Sequence, residues 1–318
     1  QGAQWAFERV HNLLSSQKRA PDIAASALRG LARVSWHRGA YDEATALAEQ
    51  AYSLAEQLDD PDGKAESLWI MGEVSRMVAD REGARACYAS SMEIYTQAKL
   101  PLGIARNLLS MAQLARYHKE FGEARKLYEQ ALSRYDQLGD RRGTGQCYNG
   151  LGEIARFEGR LDDARQHYVR ARTILESIGA QYDVALVVVN LGLIELRRRD
   201  FAAAERHMQA ALGLIEAKDY PYLVAGVEFN MALVKAMRGQ DDEANALLRR
   251  VLALNAQVPI SDLDFAEPLE KLGSLRAAEG SVEEARVLWG RASEIYRELG
   301  LSSDLGRVEG YIETLAAD

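Results

Sequence analysis

Leu151-Gly152-Glu153-Ile154-Ala155-Arg156-Phe157-Glu158-Gly159-Arg160-Leu161-Asp162-Asp163-Ala164-Arg165-Gln166-His167-Tyr168-Val169-Arg170-Ala171 is the stretch that decides the fold. Small and apolar residues recur at helical spacing on both sides of Gly159, which predicts two helices joined where a left-handed C-terminal cap is wanted. Gly152 on the first helix, and Ala164 and Ala171 on the second, let two antiparallel backbones approach closely. Tyr168 then fills the space beside that contact.

Outward from this stretch the same phase returns every forty residues. Alanine stands at Ala44, Ala84, Ala124, Ala164, Ala204 and Ala244, and at Ala285 after one inserted residue. Twelve residues earlier comes a small residue: Ala32, Gly72, Ala112, Gly152, Gly192, Ala232 and Gly273. Four residues after each alanine stand Ala48, Tyr88, Tyr128, Tyr168, Met208, Leu248 and Trp289. Gly39, Gly159, Gly239 and Gly280 mark turns between paired helices, and Pro21, Pro61, Pro101 and Pro221 open first helices, where proline is tolerated. The expected architecture is all-α, seven helix hairpins over 21–60, 61–100, 101–140, 141–180, 181–220, 221–260 and 261–300. Residues 1–20 read as a leftover helix or N-terminal cap through Ala6, Val10, Leu13 and Leu14, and 301–318 as a capping helix through Leu305, Val308, Ile312 and Leu315.

The order Leu151-Gly152, Gly159, Asp163-Ala164, Tyr168 and Ala171 resembles the tetratricopeptide repeat, and the likeness extends over residues 21–300. The copies exceed the usual length of about thirty-four residues. They are similar to the forty-residue subclass, whose copies often end in a turn such as Leu138-Gly139-Asp140. That subclass occurs in spindle-orientation adaptors, kinesin light chains, and bacterial regulators that join the array to a kinase or nucleotide-switch module. The resemblance implies a right-handed superhelical solenoid whose first helices line a concave wall that binds peptides or proteins. Three departures stand out: Ala79, Lys119 and Arg199 replace the inter-helix glycine, so those turns are expected to be less sharp. Ala48, small where other copies are large, predicts that something bulky from residues 1–20 packs there.

Composition narrows the function. The 318-residue chain is 47% hydrophobic and 27% charged, with a formal net charge of −8 and a pI near 5.4. That balance disfavours nucleic-acid or anionic-lipid partners. No apolar run is long enough for a membrane span, and the start Gln1-Gly2-Ala3-Gln4-Trp5 lacks signal-peptide character. A first residue of Gln, with a helical pattern under way by Trp5, reads as the cut end of a longer polypeptide. Cys87 and Cys147 show no pairing pattern and point to the reducing cytoplasm. The five histidines, His11, His37, His118, His167 and His207, make no metal-ligand spacing. Asp162-Asp163, Asp241-Asp242 and Glu283-Glu284 suit the positive ends of helix dipoles better than acid–base work. Gly143-Thr144-Gly145 reads as a linker running into a helix. The expectation is therefore no catalysis, no metal and no cofactor.

Binding residues are sought on the first helices. Arg76, Arg116 and Arg156 are one repeat apart and would form a row suited to an acidic or phosphorylated peptide. The alternative is intrahelical pairing with Glu73 and Glu153, three residues before Arg76 and Arg156. Val189, Leu193, Leu196, Phe229 and Leu233 would make a neighbouring stretch apolar. Asn190 and Asn230, with Asn149 near their phase, could hold an extended peptide backbone; simple packing on the next repeat is the alternative for the leucines. The leading expectation is a scaffold or sensing arm of a larger bacterial regulatory protein. A self-associating structural array, or an effector-sensing regulator of an attached catalytic domain, is the alternative.

Overall fold

A computed structural model describes residues 21–215, 221–255 and 263–317. The segment 1–20, and with it the expected bulky neighbour of Ala48, lies outside the described residues. Among those described there are fifteen helices and no strands. They are α1 (Pro21–His37), α2 (Tyr41–Gln57), α3 (Pro61–Met77), α4 (Arg81–Gln97), α5 (Pro101–Tyr117), α6 (Phe121–Leu138), α7 (Arg141–Phe157) and α8 (Leu161–Ser177). There follow α9 (Gln181–Arg197), α10 (Phe201–Leu212), α11 (Pro221–Met237), α12 (Asp241–Asn255), α13 (Leu263–Ala278), α14 (Val282–Glu298) and α15 (Ser302–Ala317). The chain is an all-α tandem-hairpin fold of the helical-repeat solenoid class. It divides into two compact units, Gln1–Ala115 with Gly122–Gly139, and Arg116–Phe121 with Asp140–Asp318.

In the first unit α1 pairs with α2 and α3 with α4, while α2 packs on α3. In the second, α7 pairs with α8, α9 with α10, α11 with α12 and α13 with α14, and α15 packs on α14. The repeat's small and large positions explain these pairings. A Cβ added at Gly72 would lie 2.6 Å from Tyr88 Cε1, one at Gly152 2.5 Å from Tyr168 Cε1, and one at Gly273 2.6 Å from Trp289 Cδ1. Each glycine is thus the seat of the large residue of its own hairpin, and the intervening Ala84, Ala164 and Ala285 are fully buried. Ala48 is enclosed in a cluster with Trp69, Ile70, Ala84, Tyr88 and Leu114, against which Trp36 and Leu47 also pack.

The turns correct one expectation. Ala79, Lys119 and Arg199 hold φ of 58°, 57° and 64°, the same left-handed conformation as Gly39 at 77° and Gly159 at 79°. Those turns are as tight as the glycine ones, because the backbone bonds that close them are the same. Asp80 N donates to Ser75 O at 2.8 Å just as Arg160 N donates to Ala155 O at 2.9 Å. Packing of both helices imposes the conformation, and the side chain tolerates a strain of roughly 1–2 kcal/mol. Asp60, Asp80, Asp140 and Asp200 cap the helices that follow, each accepting a backbone N–H three residues on at 2.9–3.0 Å. Gly143-Thr144-Gly145 therefore lies inside the first turns of α7 rather than in a linker, and a Cβ at Gly145 would meet Leu175 Cγ at 2.6 Å. No described helix is long and apolar enough to cross a membrane.

Candidate functional site

In the first unit Arg76 sits at the end of α3 with its Nη2 2.7 Å from Glu73 Oε2. Glu73 also accepts a hydrogen bond from the Tyr88 hydroxyl at 2.8 Å. Burial, reinforced by the Glu73 charge, pushes the Tyr88 phenol well above its ordinary range. The i,i+3 pair thus anchors the large residue that fills Gly72. A second polar group on this unit escaped sequence reasoning. Arg29, Arg33 and Arg106 surround Glu66 at 2.9, 3.8 and 3.6 Å, and the Arg106 guanidinium lies 5.1 Å from the Trp69 ring centre. Trp69 donates its indole N–H to Ser110 Oγ at 2.8 Å and meets Trp36 edge to face. Glu66 and Arg106 share one phase of the repeat and Arg29 and Trp69 another, but each phase changes residue type from copy to copy, so a search for recurring residues carried no signal for them.

The second unit gathers most of the remaining candidates. Arg116 and Glu153 are both buried, with Arg116 Nε 2.9 Å from Glu153 Oε2; the contact is an ion pair without hydrogen-bond alignment. Glu153 Oε1 accepts from Asn149 Nδ2 at 2.9 Å and from Asn190 Nδ2 at 3.2 Å, and Asn190 Nδ2 also donates to Asn149 Oδ1 at 3.0 Å. Farther along the same two helices, Arg142 Nε and Gln146 Nε2 each reach Asp183 at 2.8 Å. A polar seam therefore laces α7 to α9, and it is needed because α9 is buried on nearly every side, from Asp183 and Val184 through Leu196. Arg156 is buried, its Nε 3.4 Å from the Tyr168 hydroxyl and its guanidinium 4.4 Å from the Phe157 ring centre.

Asn230, one repeat beyond Asn190, is 5% exposed. Its Nδ2 donates to Gly226 O at 2.9 Å, and its Oδ1 is buried with no hydrogen-bond partner among the described residues. Leu193 on α9 is buried, and Phe229 is fully enclosed in the packing of α11. The structure thus joins Arg116, Asn149 and Asn190 through Glu153, and places Asn230 on the next first helix, α11, which contacts α9. Among the described residues no group of His, Cys, Asp or Glu could hold a metal ion. Burial pulls the His167 and His207 imidazoles below their ordinary range, and Cys147 is buried.

Stacked hairpins seated glycine against aromatic, with first helices laced by polar side chains, define a helical hairpin-repeat protein. The tetratricopeptide repeat family model matches residues 23–97 and 103–177, and these stretches are tetratricopeptide repeats. No curated protein matches the sequence. Among solved structures, the Rap conjugation gene regulator of plasmid pLS20 in complex with the Phr* peptide is similar at a TM-score of 0.73 and 13% identity, over 92% of this chain and 79% of that one. A Rap protein complexed with competence and sporulation factor gives a TM-score of 0.72 and 16% identity, over 91% and 80%. Aspartyl phosphate phosphatase F from Bacillus subtilis gives 0.65 and 14%, over 89% and 73%. At these identities the likeness is one of fold.

Proposed function

We propose that the chain is a non-catalytic binding scaffold that holds a peptide or an extended protein segment on the first helices of its second unit, α7, α9, α11 and α13. The Oδ1 of Asn230, buried with no hydrogen-bond partner among the described residues, supports this reading together with the amides of Asn149 and Asn190 that Glu153 holds one repeat earlier. A buried acceptor without a donor costs about 1–3 kcal/mol, and a backbone N–H of an extended ligand is the donor that would relieve it once the Asn230 side chain turns out to meet the ligand. Asn190, one repeat earlier, spends both Nδ2 hydrogens on Asn149 and Glu153, which leaves its own Oδ1 as the acceptor toward a ligand. Leu193 supplies an apolar flank. Two structures of like fold are complexes, one with competence and sporulation factor and one with the Phr* peptide, which supports a peptide as the ligand class. An acidic or phosphorylated ligand would reach Arg76 or Arg116 by exchanging with Glu73 or Glu153, and salt-sensitive affinity is the signature of that exchange.

Selection of displayed random peptides on the intact chain tests the proposal. Peptides recovered on the natural chain are expected to weaken about three- to tenfold on Asn230→Leu, the worth of one hydrogen bond, with helical content unchanged. Recovery of no peptide, or equal affinity for both proteins, overturns it. A mass that rises with concentration, with no peptide bound, would instead identify a second copy of the chain as the partner.

A further inference from the structure

The six residues Arg116–Phe121 link the ends of the second unit. Lys119 extends from its left-handed turn to Asp304, with Nζ 2.8 Å from Oδ2, and lies 5.9 Å from the Tyr296 ring centre. His118 Nδ1 is 2.9 Å from the carbonyl oxygen of Leu299, the residue that caps the C-terminus of α14. Asp304 is itself buried on α15 and shared with Arg307, whose guanidinium continues to both oxygens of Glu270 on α13 at 2.7 and 2.8 Å. At the other end of the same six residues, Arg116 engages Glu153, and Glu153 holds both Asn149 and Asn190. A path therefore runs from the C-terminal helix to the paired amides, carried between Lys119 and Arg116 by the backbone turn in which Lys119 N donates to Arg116 O at 2.9 Å. Residues 185 apart in sequence, Lys119 and Asp304, are its first link.

We propose that Arg116–Phe121 is a relay: the grip of Asp304 and Leu299 on Lys119 and His118 fixes Arg116 against Glu153 and so sets the positions of the Asn149 and Asn190 amides. Lys119 and Asp304 are positioning residues, and α15 is the handle by which anything that lifts it would loosen the binding face. The consequence for ligands rests on the reading of those amides as a peptide-binding pair; the relay itself does not. Its logic is that of a side chain locked by supporting contacts rather than by its own helix alone. The contact with Asp304 also explains why a lysine occupies a turn position at which four other repeats use glycine.

The test needs no ligand. Side-chain amide protons of Asn190 and, as an internal control, of Asn107 are followed by NMR hydrogen exchange in the full chain. Asn107 donates to Ser91 Oγ at 2.9 Å in the first unit and is off the path. In Lys119→Met the Asn190 amide is expected to exchange roughly tenfold faster, about 1.4 kcal/mol of lost protection, while Asn107 is unchanged and Lys119→Arg restores the natural rate. Unchanged Asn190 exchange overturns the relay, as does equal acceleration at both asparagines, which would be general loosening. Because no peptide is present, failure here is distinct from failure of the binding proposal.

Discussion

Removing the carboxylate of Glu153 is expected to be among the most costly single changes in the second unit. Glu153→Ala takes the ion-pair partner from Arg116 Nε at 2.9 Å and the acceptor from Asn149 Nδ2 at 2.9 Å and Asn190 Nδ2 at 3.2 Å in one step. The side chains of Arg116 and Glu153 are 6% and 11% exposed, so the buried limit applies rather than the surface one. Breaking a buried pair by deleting one partner costs about 3–5 kcal/mol, against roughly 0–1 kcal/mol for an exposed pair. The two orphaned amides share this loss and are not added to it, since neighbours in one network are not additive. A loss of that size is a large fraction of the 5–15 kcal/mol typical of a folded domain. Urea unfolding followed by far-UV circular dichroism measures it, with the exposed Arg160, paired to Glu158 and Asp163, as the control: Arg160→Ala should cost no more than about 1 kcal/mol. The double substitution Arg116→Met with Glu153→Leu should recover most of the loss, because neither charge of the pair is then left buried without the other. A cost for Glu153→Ala within about 1 kcal/mol would refute the reasoning and show the carboxylate to be hydrated.

Three more outcomes follow from particular contacts. Ala79→Gly should stabilise by about 0.5–1 kcal/mol in thermal unfolding, since φ of 58° strains alanine more than the added chain entropy of glycine costs. Gly152→Ala should destabilise by about 1–3 kcal/mol in the same measurement, because the new Cβ would press on the Tyr168 ring at 2.5 Å. Burial alone would raise the Asp304 carboxyl, but hydrogen bonds from Lys119 and Arg307 win and hold it below the ordinary 3.8. Its contribution is therefore complete above the ordinary value and lost as pH falls through the depressed one. Asp304→Asn should be less stable than the natural chain at pH near 7, and the gap should narrow below about pH 4 when melting curves are compared across pH.

The fold was legible because its determinants repeat. Gly72, Gly152 and Gly273 seat Tyr88, Tyr168 and Trp289 by one geometric rule, and a rule that returns at a fixed spacing leaves a periodic trace in the chain. The candidate site was legible only as a set of phases. Asn149 and Asn190 fall at different positions of their repeats, and only the lateral packing of α7 on α9 brings both to Glu153. The i,i+3 spacing of Glu73 and Arg76 was readable because both partners lie on one helix. Arg116 with Glu153, thirty-seven residues apart, was not, since a contact across repeats depends on how neighbouring hairpins are set, which no local pattern encodes. The triple approach of Arg29, Arg33 and Arg106 to Glu66 is hidden for the same reason.

The departures from the repeat are then the informative positions. Ala79, Lys119 and Arg199 carry the same turn strain, so tightness of the turn does not distinguish them. What distinguishes Lys119 is where its side chain ends. Its ammonium meets Asp304, and Asp304 is gripped a second time by Arg307, which in turn holds Glu270. Glycine at that position would relax the backbone by roughly 1–2 kcal/mol and delete the first link of this path. The strain at Lys119 is therefore offset by contacts that a repeat considered alone could not make. Lys119→Gly should accordingly fail to give the gain expected of Ala79→Gly in the same melting experiment. An equal gain at both positions would mean that the contact with Asp304 contributes nothing to the folded state.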